Sequence, residues 1–157
     1  MPDQIVIRRA VLDDVPARTL YLLAKLRQDV FTMEQGATDA DLDGRELEPT
    51  TELIWAEEAG EPIAHLRLLR GADGTVRIGR VAVRADRRRG GNGRRLMAAA
   101  LERARKISPQ AEVHLDAQAY LEQWYASMGF ETVGGVFLEA GIEHVAMVLS
   151  PERAAQL

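Results

Sequence analysis

The chain has 157 residues, no cysteine, 28% charged residues and a formal net charge of −4. Its length and 46% hydrophobic content suit one globular domain with its own core, spanning 1–157, and the lack of cysteine excludes disulfides, Cys-ligated metal and a thiol nucleophile. An acidic balance disfavours general nucleic-acid binding, the start MPDQIVIRRA shows no signal peptide, and no apolar run approaches the roughly 18 residues of a membrane span, so the expectation is a cytoplasmic protein with neither a membrane nor a nucleic-acid partner.

IVIRR (5–9) reads as a short strand. Leu20, Leu23, Leu26, Val30 and Met33 recur at three- and four-residue steps, which predicts an amphipathic helix over 17–34. QGATDADLDGRELEPT (35–50) is too broken for an element and reads as a long loop. ELIWAEE (52–58) and EPIAHLRLL (61–69) form a hairpin across Ala-Gly, and TVRIGRVAV (75–83) adds a third antiparallel strand. A helix over 93–107 presents Leu96, Ala100, Ala104 and Ile107 on one face and stops before Pro109. AEVHLDA (111–117) is a strand, AYLEQWYASM (119–128) a helix stopped by Gly129, and 130–140 with 142–150 a closing hairpin. The tail PERAAQL is expected to fray. These elements predict one mixed α/β domain.

Between the third hairpin strand and the long helix lies VRADRRRGGNGRRLM (83–97), with six arginines and three glycines. Strand, glycine-rich loop and helix make an anion site, because the first helical turn leaves its N–H groups unpartnered and the helix dipole favours negative charge there. The loop lacks the Lys-Ser/Thr of a Walker motif, and the antiparallel strands before it disfavour a dinucleotide fingerprint. No aromatic residue in it could stack on bases. Elimination leaves a small diphosphate-bearing ligand, with a solvated loop as the alternative. Histidines 65, 114 and 144 show no ligand spacing, so no metal is expected, and no G-x-S-x-G elbow supports a hydrolase.

Arg88-Arg89-Gly90-Gly91-Asn92-Gly93 resembles the [QR]-x-x-G-x-[GA] signature of the GNAT superfamily of acetyl-CoA-dependent N-acetyltransferases, and Tyr125-Ala126-Ser127-Met128-Gly129-Phe130 resembles its Y-x-x-x-G-F. VFTMEQ (30–35), DLDG (41–44), IGRVAV (78–83), AQAYLEQWYASMGF (117–130) and GIEHVAM (141–147) narrow the likeness to the ElaA-like branch, over about 19–149. The resemblance implies the acyl-CoA N-acyltransferase fold: mixed α+β, a mostly antiparallel mixed sheet flanked by helices and splayed between its fourth and fifth strands, with acetyl-CoA in the cleft.

It also implies roles. The main chain of Val81-Ala82-Val83 would bond the pantetheine arm like an added strand. Amides of Arg88, Arg89, Gly90, Gly91, Asn92, Gly93 and Arg94 would hold the diphosphate, and Gln118 stands where many relatives place a cofactor-touching Asn. Tyr125 would protonate the departing thiolate as general acid, although periodicity alone reads it as a core aromatic beside Leu121 and Trp124. The acceptor amine must also lose a proton, since an alkyl ammonium of pKa ~10.4 is only about one part in 2,500 neutral at pH 7. Glu34, Asp116 and His144 are the candidate bases, with a water chain as the alternative.

The implied reaction is direct transfer to a primary amine in a ternary complex. A non-catalytic acyl-CoA-binding or regulatory module on the same fold is the rival reading. Residues 31–51 carry Glu34, Asp39, Asp41, Asp43, Glu46 and Glu48 against Arg45 alone, so a loop lining the acceptor site would favour a cationic amine. A homodimer is common among proteins of this kind.

Overall fold

Residues 4–156 are described by a computed structural model. Seven strands, β1 (Ile5–Ala10), β2 (Glu52–Glu58), β3 (Glu61–Arg70), β4 (Val76–Val83), β5 (Val113–Gln118), β6 (Glu131–Glu139) and β7 (Ile142–Leu149), form one sheet in the order β1-β2-β3-β4-β5-β7-β6. Every neighbouring pair is antiparallel except β4 and β5. The sheet is thus mixed and mostly antiparallel, as expected.

Helices cover both faces, which explains why β3 is buried continuously from Pro62 to Leu69. Helix α1 (Ala17–Arg27) packs Leu23 against Val15, Leu53 and Trp55. Helix α2 (Asn92–Ile107) buries Leu96, Met97, Ala100 and Ala104 against Ile54, Leu66, Leu68 and Ile78 on the other face. Side chains alternate along β2, so Leu53 and Trp55 serve one layer and Ile54 and Ala56 the other.

The helix expected over 17–34 has the right span but changes type. Its second half, Gln28–Glu34, is π-helical, and the Gln35 N–H reaches back to the Val30 carbonyl at 3.1 Å. The wider turn seats Val30 against Leu26 and Ala82. The helix expected over 119–128 is a 3-10 turn, Ala119–Leu121, followed by a short α3 (Glu122–Ala126). The tail does not fray as expected: Pro151–Ala154 form α4, with the Ser150 hydroxyl accepting from the Arg153 N–H at 3.2 Å and Pro151 at the first turn. That cap was legible as Ser-Pro. The Arg105 Nη1 bond to the Ala154 carbonyl, which ties α4 to α2, was not.

The feature that makes the site is a fault in the sheet. β4 and β5 pair only at Val76–Val113 and Arg77–His114. From Ile78 to Val83, β4 therefore turns an unpaired edge toward a widening gap.

Candidate active site

The gap opens into a cleft of about 1150 Å³. On its β4 wall the register with β3 slips opposite Leu66, and Arg80 takes a left-handed φ of 54°. Past the bulge, the Arg84 N–H bonds to the Ile63 carbonyl of β3 at 2.8 Å. Successive peptide groups along a strand point to opposite sides, so the N–H and carbonyl of Val83 face the gap. The Val83 carbonyl is taken by the Arg88 Nε at 3.0 Å. Its N–H is left for a ligand. Val81 and Val83 line the cleft, while the Ala82 side chain is buried against Leu26 and Val30.

The arginine–glycine loop ends at the N-terminus of α2. No amide from Arg88 to Arg94 donates to a backbone acceptor among the described residues, and no side chain caps the helix. Arg89 at φ 66° and Gly91 at φ 82° bend the chain so that these donors converge. The Asn92 Nδ2 donates to the Arg87 carbonyl at 3.1 Å and holds the bend from within. A Cβ at Gly93 would lie 3.3 Å from the Trp124 ring and 3.4 Å from the Val83 Cγ2, so a bare backbone lets α2, α3 and β4 meet here.

Tyr125 is buried at 5% exposure, edge-on to Trp124 with ring centroids 4.8 Å apart and to Phe130 at 6.2 Å. Its hydroxyl makes no hydrogen bond among the described residues, yet it is not sealed from solvent, and the residue lines the cleft. Burial pushes the phenol well above its ordinary pKa. The core aromatic and the cleft-facing acid are thus one residue: the ring belongs to the core and the oxygen to the cleft.

The other candidates lie on the opposite face of the sheet. Leu115 and Ala117 of β5 point toward the Tyr125 side, whereas Asp116 and Gln118 point away, and Gln118 pairs with His144 of β7. The gap between β4 and β5 joins the two faces. Asp116 lies 3.3 Å from Arg77 across the splay. The Gln118 Nε2 donates to the Gln35 Oε1 at 2.7 Å, and the Thr38 N–H donates to the Ala140 carbonyl at 3.1 Å, so the loop after the π-helix closes over this end of the cleft. His144 is buried, with Nδ1 2.7 Å from the Ile142 carbonyl. Glu34 does not line the cleft. Its carboxylate meets the Arg88 guanidinium fork at 2.5 and 2.6 Å, which holds it below the usual carboxylate range.

Asp39, Asp41 and Asp43 of the acidic loop line the cleft, and Asp41, Asp43 and Glu46 are paired with arginines distant in sequence. Arg27 Nε lies 2.9 Å from the Asp41 Oδ2 and its Nη1 2.5 Å from the Glu46 Oε1. Arg67 grips both oxygens of Asp43 at 2.8 Å and reaches Glu46 at 3.0 Å. Arg80, at the bulge, bonds to Asp41 at 3.0 Å. Three carboxylates and three guanidiniums thus anchor the loop and brace the bulge. The Arg67 fork holds Asp43 well below the ordinary aspartate range. Burial raises Glu46, but Arg27 and Arg67 outweigh it and hold Glu46 low.

A splayed β4–β5 pair, a bulged β4 edge and a helix N-terminus with free amides match one known family. The profile of the acetyltransferase (GNAT) domain fits residues 23–151. The chain belongs to the GNAT acetyltransferase family. Protein ElaA of Escherichia coli is 38% identical over 130 residues, covering 82% of this chain and 85% of that protein. Its crystal structure superposes with a TM-score of 0.87 at 33% identity, covering 94% of this chain and all of that one. An acyl-CoA N-acyltransferase from Pseudomonas aeruginosa gives 0.87 at 34% identity with the same coverage. A UPF0039 protein of Mycobacterium tuberculosis is 41% identical over 151 residues, covering 90% of this chain and 91% of that protein.

The GNAT fold and the ElaA-like relationship read from the motifs therefore hold, and the chain is an acyl-CoA-dependent transferase by family. Sequence reasoning missed Gln35, Trp124, Glu139 and the arginines at 27, 67 and 80. Arg67, Arg80 and Trp124 carried a signal: charges inside apolar strands, and an aromatic one residue before the motif tyrosine.

Proposed function

We propose that the protein is an acetyl-CoA-dependent N-acetyltransferase that moves the acetyl group directly to a primary amine in a ternary complex. The observation that carries this reading is the set of free amides from Arg88 to Arg94 at the foot of an open β4 edge, with the Tyr125 oxygen in the same cleft. Amides converging at a helix N-terminus suit a diphosphate. The Val83 N–H and the main chain of Val81 suit the amide groups of a pantetheine arm. Fold neighbours at low identity include an aminoglycoside 6'-N-acetyltransferase solved with coenzyme A, at 14% identity and a TM-score of 0.72.

The thioester enters from the α2 face and the amine from the His144 face, so the sheet gap is where they meet. The amine attacks the thioester carbon, a strand amide near Val81 holds the oxyanion, and the carbon–sulfur bond breaks as Tyr125 gives its proton to the thiolate. No cysteine exists to carry the acetyl group, which favours direct attack.

Titration calorimetry with acetyl-CoA, followed by thiol release with an amine panel, tests the reading. Saturable binding with amine-dependent thiol release is expected. Binding without release for any amine would support the rival acyl-CoA-binding module, and absence of binding would overturn both.

A further inference from the structure

On the acceptor face, the hairpin of β6 and β7 brings together His144 Nε2 and the Glu139 carboxylate, which have no hydrogen-bond partner among the described residues. Phe137 pairs with His144 and Glu139 with Ile142, so Phe137, Glu139, Ile142 and His144 share one face of the hairpin. Phe137 stacks on the His144 ring at 5.9 Å and 29°. His144 is 7% exposed, and its Nδ1 lies 2.7 Å from a carbonyl oxygen, which can only accept. Nδ1 therefore carries the hydrogen, and in the neutral ring Nε2 presents a lone pair. Nε2 has no hydrogen bond but is not sealed, and His144 lines the cleft. Facing it at 3.5 Å is the Glu139 Oε2, on a carboxylate that is 46% exposed and also lines the cleft.

With the ring neutral, an imidazole lone pair and a carboxylate oxygen flank one point, and either a proton on Nε2 or an N–H supplied by a ligand satisfies both. The ring is fixed by the Ile142 carbonyl and by Phe137, so it cannot turn away. The Gln118 amide, its partner on β5, is committed to Gln35.

We propose that His144 Nε2 and the Glu139 carboxylate together receive the ammonium group of a cationic primary amine, and that its proton leaves the cleft through them. This deepens the acetyltransferase reading and rests on it. The ammonium donates one N–H to each group. His144 takes a proton at Nε2 and passes it to Glu139, whose exposed side returns it to water. The neutral amine then forms the carbon–nitrogen bond, and its second proton restores Tyr125 after the thiolate has been protonated. The sum is one ammonium and one thioester giving one amide, one thiol and one proton. A cationic preference is thereby also placed at a pair that meets no arginine among the described residues.

The test is nitrogen NMR of the imidazoles in the full-length protein with coenzyme A present, His65 and His114 serving as references. Butylammonium is expected to shift the His144 Nε2 resonance saturably, tetramethylammonium, which has no N–H, is expected to leave it, and Glu139→Gln should weaken the butylammonium response by at least about tenfold, the factor of one charge-assisted hydrogen bond. An equal response to both cations, no response at His144, or an unchanged affinity in Glu139→Gln would overturn the proposal. Coenzyme A binding is read in the same samples, so a failure of the acetyltransferase reading shows separately as loss of that binding.

Discussion

Arg88 and Glu34 face each other through two parallel bonds of 2.5 and 2.6 Å, while the Arg88 Nε caps the Val83 carbonyl at 3.0 Å. One side chain thus ties the arginine–glycine loop to the β4 edge and to the end of the π-helix. A carboxylate clamped in this way is a poor proton acceptor. Glu34→Gln is therefore expected to leave kcat within about fivefold, the scale of an exposed ion pair of under ~1 kcal/mol. It should also tighten coenzyme A binding, because the Arg88 charge is no longer neutralised beside the anion site. Stopped-assay kinetics with calorimetry check both, and a loss of two or more orders of magnitude in kcat would restore Glu34 as the base.

Tyr125→Phe separates the ring from the oxygen. The ring fills the core between Trp124 and Phe130, and phenylalanine keeps that packing. The hydroxyl has no partner among the described residues, so its removal should shift the melting temperature by less than about 2 °C. Loss of a general acid should lower kcat by roughly 10²- to 10⁴-fold with acetyl-CoA affinity unchanged. The raised pKa keeps the phenol protonated across the working range, so no limb of a pH–rate profile should move with this substitution.

Local rules carried the fold a long way. Alternation in 52–58, the Ala-Gly turn and the glycine loop opening a helix are all short-range signals, and each expected strand lies within about two residues of its place, while α4 and the π-helical half of the first helix were not foreseen. The arginine–glycine loop at the start of α2 was legible for the same reason, being one continuous stretch. The far end of the cleft was not, because it is made by contacts remote in sequence: Gln118 with Gln35, Thr38 with Ala140, and Arg27 and Arg67 with the DLDG loop. Charge counted along the chain made that loop look hungry for a cation. Charge counted in space shows Asp41, Asp43 and Glu46 already paired with arginines.

That satisfaction makes a stability prediction. Arg67 is 4% exposed, and truncating it would take the two-bond fork from Asp43, leaving it only Arg80 at 3.4 Å, and would leave Glu46 with Arg27 alone. Arg67→Leu is expected to destabilise the fold by ~3 kcal/mol or more, as breaking a buried pair on one side does. With Asp43→Ala added, the two costs should fall short of their sum by at least about 1 kcal/mol. Urea unfolding of the two single variants and the double variant measures this. Additive costs would mean that the fork contributes nothing beyond packing.

His65 is expected to contribute to the acid sensitivity of the fold. It is fully buried beside Arg27 and Arg67, with Nδ1 3.3 Å from the Ile54 carbonyl and Nε2 unpartnered. Burial, reinforced by the charge of Arg27, lowers its pKa from 6.5 to about 3. The folded state therefore refuses a proton that the unfolded chain accepts. Stability from this group is complete above the unfolded value and is lost as pH falls from there toward the folded one. Each pH unit inside that window costs up to ~1.4 kcal/mol, so acidification from pH 7 to 4.5 should remove about 2 kcal/mol through His65 alone. His65→Leu, close in volume and without the orphaned nitrogen, should cost less than about 1.5 kcal/mol at pH 7 and should lose correspondingly less stability at pH 4.5. Parallel urea titrations at the two pH values decide it, since equal acid losses in both proteins would rule out His65 as their source.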